Sequence, residues 1–203
     1  MRQLSVTKIL LGLNIFVFAL MVGFGGPSIL TVSDPETAIR TALAFGANFG
    51  PLTLHGQLWR LVTSMFVHFG ILHLGMNMWC LWQLGGLCEQ ILGKARYLGL
   101  YFLTGVGGSL ASLFFNPVVV SAGASGAIFG LAGVLVAVLY LRKDLFPAEA
   151  RSALLSNMLF FVVLNLALGA SIPGIDMSAH VGGLVTGLAA GAGVSLTSSR
   201  FRG

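Results

Sequence analysis

Six long apolar stretches, separated by small groups of Lys and Arg, constrain this chain more than any other feature of its sequence. A helix needs about 20 consecutive apolar residues to cross the hydrocarbon of a bilayer. Ile9–Leu30, Ile71–Leu92, Tyr97–Phe115, Ala122–Leu141, Ser152–Ala170 and Ser178–Thr197 each meet that length or come close to it. Only 8% of the 203 residues are charged, too few to cover the surface of a soluble domain of this size. The net charge of +5 does not indicate a nucleic-acid partner, because the basic residues form no single patch. The first stretch follows Arg2 and Lys8 but outlasts a signal-peptide core and lacks a small-residue cleavage site, so it reads as a span. The expectation is an all-α membrane protein with six transmembrane helices, residues 1–203 forming one domain.

The basic residues orient those spans. Arg2, Lys8, Lys94, Arg96, Arg142, Lys143, Arg151, Arg200 and Arg202 fall on one side of a six-span topology, leaving Arg40 and Arg60 on the other. The positive-inside rule makes the richer side cytoplasmic and both termini with it. The loop from about Thr31 to Gly70 is then external, with semi-apolar segments expected at the interface and Trp59 as an anchor. Cys80 and Cys88, both inside an apolar run, read as small buried hydrophobes. The chain begins almost at its first span, so we expect neither a soluble accessory domain nor a seventh span. The short N-terminus without a transit signal suggests a bacterial plasma membrane.

With this orientation His73 and Asn77 of span two, Ser125 of span four and His180 of span six share one depth beneath the external surface. Polar groups in a bilayer are costly and face protein or a wet cavity, and four at one level predict one shared cavity. Span four carries Gly126, Gly130, Gly133 and Ala137, and span six Gly183, Gly187 and Gly191. Small-residue rows of this kind let helix backbones approach closely. If the two rows face each other, Ser125 and His180 come within about 2.6–3.2 Å. A serine activated by a neutral imidazole is a nucleophile. Backbone N–H groups at the start of a helix, with the side chains of Asn77 and His73, would stabilise an oxyanion. Each residue also has a plainer use: Ser125 as a packing residue, His180 as a satisfied buried histidine, His73 and Asn77 as hydrogen bonds to a neighbouring helix. Their coincidence at one depth favours acyl transfer to water.

A metal site is the rival use of the histidines. His68 and His73, five residues apart, would point about 140° apart on a helix, a poor arrangement for joint ligation. A metal is therefore not expected. Asp176, four residues before His180, mimics a triad acid but sits where a helix start is expected. Glu89 lies near the inner end of span two, where it would bond a neighbouring helix or snorkel. The stretch "NPVVVSAGAS" before and including Ser125 fits no helix pattern and is expected to line the cavity as irregular backbone. The connection Gly169–Ser178, with Pro173 and Gly174, is a candidate cap over the site.

Taken together, "HFGILHLGMNMWCLWQLG" with His68, His73 and Asn77, "GASG" at Ser125, "AHVGGLVTG" at His180, "WR" at Trp59–Arg60 and "GKARYLGLYFLTG" resemble the motifs of the rhomboid family of intramembrane serine proteases. The resemblance covers nearly the whole chain and implies a six-helix rhomboid-like bundle. It implies a Ser125–His180 dyad, with Ser125 as nucleophile and His180 as general base and then acid. The oxyanion would be held by Asn77, His73 and the Ser125 amide. It further implies membrane-protein substrates cut in or near a transmembrane helix, without metal or cofactor. Some relatives carry a tyrosine one turn after the serine; here it is Phe129, whose ring would still pack on His180. Two other classes remain in view: a catalytically inactive relative that binds transmembrane clients, and a small transporter with a polar midplane site. The presence of both Ser125 and His180 argues against the first, and the shallow, uncharged cluster against the second.

Overall fold

The computed structural model describes residues 5–171 and 174–197; Arg2, Pro173, Arg200 and Arg202 lie outside the described residues. Helix α1 spans Val6–Gly25, α2 Ser28–Thr31, α3 Pro35–Ala44, α4 Gly50–Thr53 and α5 Arg60–Thr63. A 3₁₀ turn at Ser64–Phe66 leads to α6 (Gly70–Leu92), α7 (Lys94–Phe115), α8 (Ser125–Leu141), α9 (Ala148–Ser171) and α10 (Met177–Thr197). Among the described residues the only β-pairing is one antiparallel bridge, Asn48 with Ser121.

The chain is a multi-pass membrane protein. Four of these helices, α1, α7, α9 and α10, are long and apolar enough to cross a bilayer. Helix α6 adds a fifth when taken with the Arg60–Phe66 segment, from which it is bent by 96°. Gly70 makes that bend: its φ of +82° belongs to the left-handed region that glycine adopts freely. Helix α8 has 17 residues.

The first helix departs from the hydropathy pattern. Apolar residues run on to Leu30, but Ser5 starts the helix early by accepting the Lys8 N–H, and Pro27 ends it, since proline cannot continue the N–H ladder. Glu89 holds that start in place. Its carboxylate accepts the Ser5 hydroxyl at 2.7 Å, the Val6 and Thr7 amides at 2.9 and 3.0 Å, and the Thr7 hydroxyl at 2.9 Å. A negative charge at a helix N-terminus satisfies orphan amides and opposes the helix dipole favourably. The C-terminal turn of α6 is thereby locked to the first turn of α1.

Helix α8 is the centre of the bundle, buried along most of its length, whereas α9 buries only Met158, Val162 and Gly169. The small-residue rows do meet. A Cβ on Gly183 would strike the Gly126 carbonyl, one on Gly187 the Gly130 carbonyl, and one on Gly191 would approach the Val134 carbonyl and Ala137. Helix α7 joins this seam: a Cβ on Gly108 would sit 2.7 Å from Ala179 O, and one on Gly182 would meet Ala111. Backbone contact along three helices fixes where the first turns of α8 and α10 lie relative to each other.

The connection between α1 and α6 is folded rather than loose. Arg60, 5% exposed despite its charge, donates from Nη1 to the Leu43 and Ala47 carbonyls at 2.8 Å each and from Nε to Gln57 Oε1 at 2.7 Å. Its guanidinium lies 4.7 Å over the Trp59 ring, a cation–π contact, while that ring stays about half exposed beside exposed Leu54 and Leu58. Cys88 is buried as expected, but Cys80 is only half buried and lines the cavity described below.

Candidate active site

Helix α8 begins at Ser125 because the segment before it is tied down elsewhere at several points. Ser121 exchanges two 2.8 Å backbone bonds with Asn48, Gly50 N–H reaches Pro117 O at 2.8 Å, and Gly123 N–H reaches Ser64 O at 2.9 Å. Asn48 Nδ2 in turn donates to Ser109 O at 2.9 Å, anchoring the bridge to α7. Irregular backbone of this kind survives at membrane depth only where protein satisfies its polar groups. The helix starts at Ser125, three residues inside the apolar stretch that opens at Ala122, which places Ser125 in the first turn with its own N–H among the unsatisfied donors of a helix N-terminus.

His180, 9% exposed, stands in the first turn of α10 with Nε2 2.8 Å from Ser125 Oγ. Its ring lies flat against Phe129, 4.4 Å between centroids and 20° between planes, which fixes its rotation. Phe129 is itself backed by Phe161 of α9 at 5.9 Å. Phenylalanine therefore keeps the stacking wall without a hydroxyl.

On the opposite wall, the Phe69 N–H donates to His73 Nδ1 at 3.3 Å, so a neutral His73 ring carries its proton on Nε2. That nitrogen faces the serine: a Cβ on Gly123 would lie 2.9 Å from His73 Nε2 and 3.7 Å from Ser125 Oγ. Gly123, at φ +124°, leaves this space open and takes a conformation other residues avoid. Asn77, one turn beyond His73, is buried and gives one Nδ2 hydrogen to His73 O at 2.9 Å, leaving the second for another acceptor. His68 lies outside the helix, in the bend before α6, and is fully buried. Its Nε2 accepts the Ala124 N–H at 3.5 Å, and its ring meets His73 edge-on at 5.1 Å. It positions the backbone just before the serine. No cluster of three or more His, Cys, Asp or Glu suited to a metal occurs among the described residues.

Ser125, His180, His73 and Asn77 all line one cavity of about 1030 Å³, bounded by α2, α3, the 3₁₀ turn, α6, α7, α8, α9, α10 and the segment before Ser125. Residues 55–197 match the family model described as Rhomboid domain. The chain belongs to the rhomboid family. It is 38% identical over 168 residues to Rhomboid protease GluP of Bacillus subtilis (strain 168), covering 83% of this chain and 32% of that protein. It is 41% identical over 135 residues to RHOMBOID-like protein 6, mitochondrial, of Arabidopsis thaliana, covering 66% of this chain and 43% of that protein. Rhomboid-like protease 1 of Toxoplasma gondii is 36% identical over 152 residues, 72% of this chain and 50% of that protein. The chain thus spans a third to a half of the length of these relatives.

Two further residues of this rhomboid cavity have distinct origins. Asp176 was expected at a helix start, and its Oδ1 does accept the Ser178 and Ala179 amides at 3.1 and 3.3 Å. It is also the one acidic residue among the described lining residues. Asn165 was missed by sequence reasoning. Its Nδ2 donates to Phe161 O one turn back at 2.8 Å, and it lines the cavity from α9. The signal was present, since a polar side chain inside the apolar run Met158–Leu168 faces protein or a cavity by default. Of the candidate cap, Gly174, Ile175 and Asp176 line the cavity, as does Gly169.

Proposed function

We propose that this rhomboid is an intramembrane serine endopeptidase that hydrolyses peptide bonds in or near transmembrane helices of other membrane proteins. Ser125 is the nucleophile. His180 takes the Oγ proton on Nε2 and then delivers it to the leaving amine. The oxyanion forms against the Ser125 amide, the His73 Nε2–H and the free Nδ2 hydrogen of Asn77. No metal or cofactor takes part. The observation that carries this reading is the 2.8 Å contact between His180 Nε2 and Ser125 Oγ inside a cavity that also holds two further hydrogen-bond donors. The relatives named as proteases support it.

We read residues 1–203 as one six-span domain with both termini cytoplasmic and the cavity open to the external side, in a bacterial plasma membrane. Helix α8 supports the depth of the site. Its 17 residues reach about 25 Å, short of the roughly 30 Å of hydrocarbon. The irregular segment before Ser125 fills the remainder, which sets the serine below the external surface beside a route for water. An extended substrate suits this site, because a peptide bond inside a helix is sheltered until its turn unwinds.

Fluorophosphonate labelling in detergent tests the assignment. The wild type is expected to label at Ser125, and Ser125→Ala and His180→Ala to lose the label while melting like the wild type. A folded wild type that neither labels nor cleaves a transmembrane reporter would favour a client-binding relative instead.

A further inference from the structure

The Ser125–His180 contact uses one nitrogen of the imidazole and leaves the other unexplained. When Nε2 accepts the serine proton, the neutral ring carries its own proton on Nδ1. His180 Nδ1 is buried and has no partner among the described residues. A base in this position needs an acceptor there, both to hold the tautomer and to stabilise the imidazolium formed in the reaction.

Four other buried oxygens among the described residues also lack a partner: Asn14 Oδ1, Asn77 Oδ1, Tyr101 Oη and Asp176 Oδ2. Asn14 and Tyr101 do not line the cavity. Asn77 lies on the far wall beside His73. Asp176 lies one turn before His180 at the start of the same helix, and both line the cavity. Its Oδ1 is fixed by the Ser178 and Ala179 amides, so the orientation of the carboxylate is set and Oδ2 is the oxygen left over. On the α9 side, Nδ1 lies near Gly169, where an added Cβ would be 3.6 Å away. No side chain of that residue competes for the nitrogen.

We propose that Asp176 is a positioning residue for His180, its Oδ2 accepting the Nδ1–H proton through one ordered water. This rests on the serine-protease reading above. In the reaction the Ser125 Oγ proton moves to Nε2 as Oγ bonds the carbonyl carbon. Nδ1 keeps its proton and passes none to Asp176, and the Nε2 proton leaves with the amine when the C–N bond breaks. The other titratable group facing His180 across the cavity is His73 of α6. Helices α8 and α9 present Ser125, Phe129, Phe161, Asn165 and Gly169, none of them charged.

The test is Asp176→Asn, because asparagine caps a helix as well as aspartate but carries no charge. In detergent, kcat and KM for a fluorogenic transmembrane-segment peptide are measured against pH alongside the melting temperature. Asp176→Asn is expected to lower kcat by about 10–100-fold, the usual cost of losing an outer partner of a functional histidine, with KM and melting temperature near wild type. The acid-side fall in kcat moves to lower pH, because the carboxylate that favours the imidazolium is gone. Asp176→Ser, a second neutral cap, repeats the measurement if the asparagine variant folds poorly. Wild-type kcat and pH profile in the folded variant would reduce Asp176 to a helix cap and overturn the proposal. A wild type that itself neither labels with fluorophosphonate nor cleaves would instead overturn the protease reading beneath it.

Discussion

Alanine at Gly187 would set a methyl group against backbone, where no side chain can turn away. The added Cβ would fall on the Gly130 carbonyl, with Gly130 Cα at 2.8 Å. Carbon atoms in contact sit about 3.5–4.0 Å apart, so α8 and α10 must part locally by roughly 1 Å. Overpacking costs about 1–3 kcal/mol, and the upper end applies here because the obstruction is the backbone of the most buried helix. Gly193 lies six residues further along the same helix with nothing within 4 Å of the equivalent Cβ. Alanine there gains about 0.5–1 kcal/mol from the reduced backbone freedom of the unfolded chain. The two variants should therefore differ by about 3–4 kcal/mol, or roughly 6–16 °C in melting temperature for a chain of this size. Thermal unfolding of both proteins in the same detergent measures that gap. Because α8 carries Ser125 and α10 carries His180, fluorophosphonate labelling should slow in Gly187→Ala and not in Gly193→Ala. Equal melting temperatures would mean that the two glycine rows do not bear on each other, and the explanation for the Ser125–His180 distance would fail.

Asn77→Ala should cut kcat by about 10²–10³-fold, the usual effect of losing one oxyanion donor, while leaving the melting temperature within a few degrees; an unchanged kcat removes Asn77 from the oxyanion site. Glu89→Ala strips the acceptor from four hydrogen bonds at the start of α1 and should cost at least about 3 kcal/mol. Hydrogen exchange at Val6 and Thr7 reads this directly, and wild-type protection there would contradict the clamp. Asp34 caps α3, and hydrogen bonds from the Thr37 side chain and amide hold its carboxyl below the ordinary value of 3.8. Its contribution is therefore complete above that value and lost as pH falls through the lower folded one, so exchange at Thr37 should rise only at the acid end. Exchange that rises already near neutral pH would point to another cause.

The bundle was largely legible because hydropathy and the placement of Lys and Arg act over whole helices. The paired glycine rows were legible for the same reason: a spacing of four residues repeats along one face, and two such faces have few partners but each other. Helix ends were less so, since caps decide them. Ser5 and Pro27 shift the first helix against its own apolar run, and no hydropathy window registers either. The role of Arg60 was hidden for a different reason. An arginine in an irregular connection does not announce its partners, and only the fold brings the Leu43 and Ala47 carbonyls to its guanidinium.

The least legible part is the one on which the serine depends most. Nothing in "NPVVVSAGAS" names Asn48, Ser64 or His68 as its partners, because each contact joins residues more than 50 positions apart. Yet these contacts set where α8 begins. Had the helix run from Ala122, the amide of Ser125 would be bonded within the helix and unable to donate to an oxyanion. The bridge at Ser121, the Gly123 bond to Ser64 and the Ala124 bond to His68 together stop the helix three residues short. His68 thus acts through the backbone that delivers Ser125, which explains why a fully buried histidine sits beside the cavity without lining it.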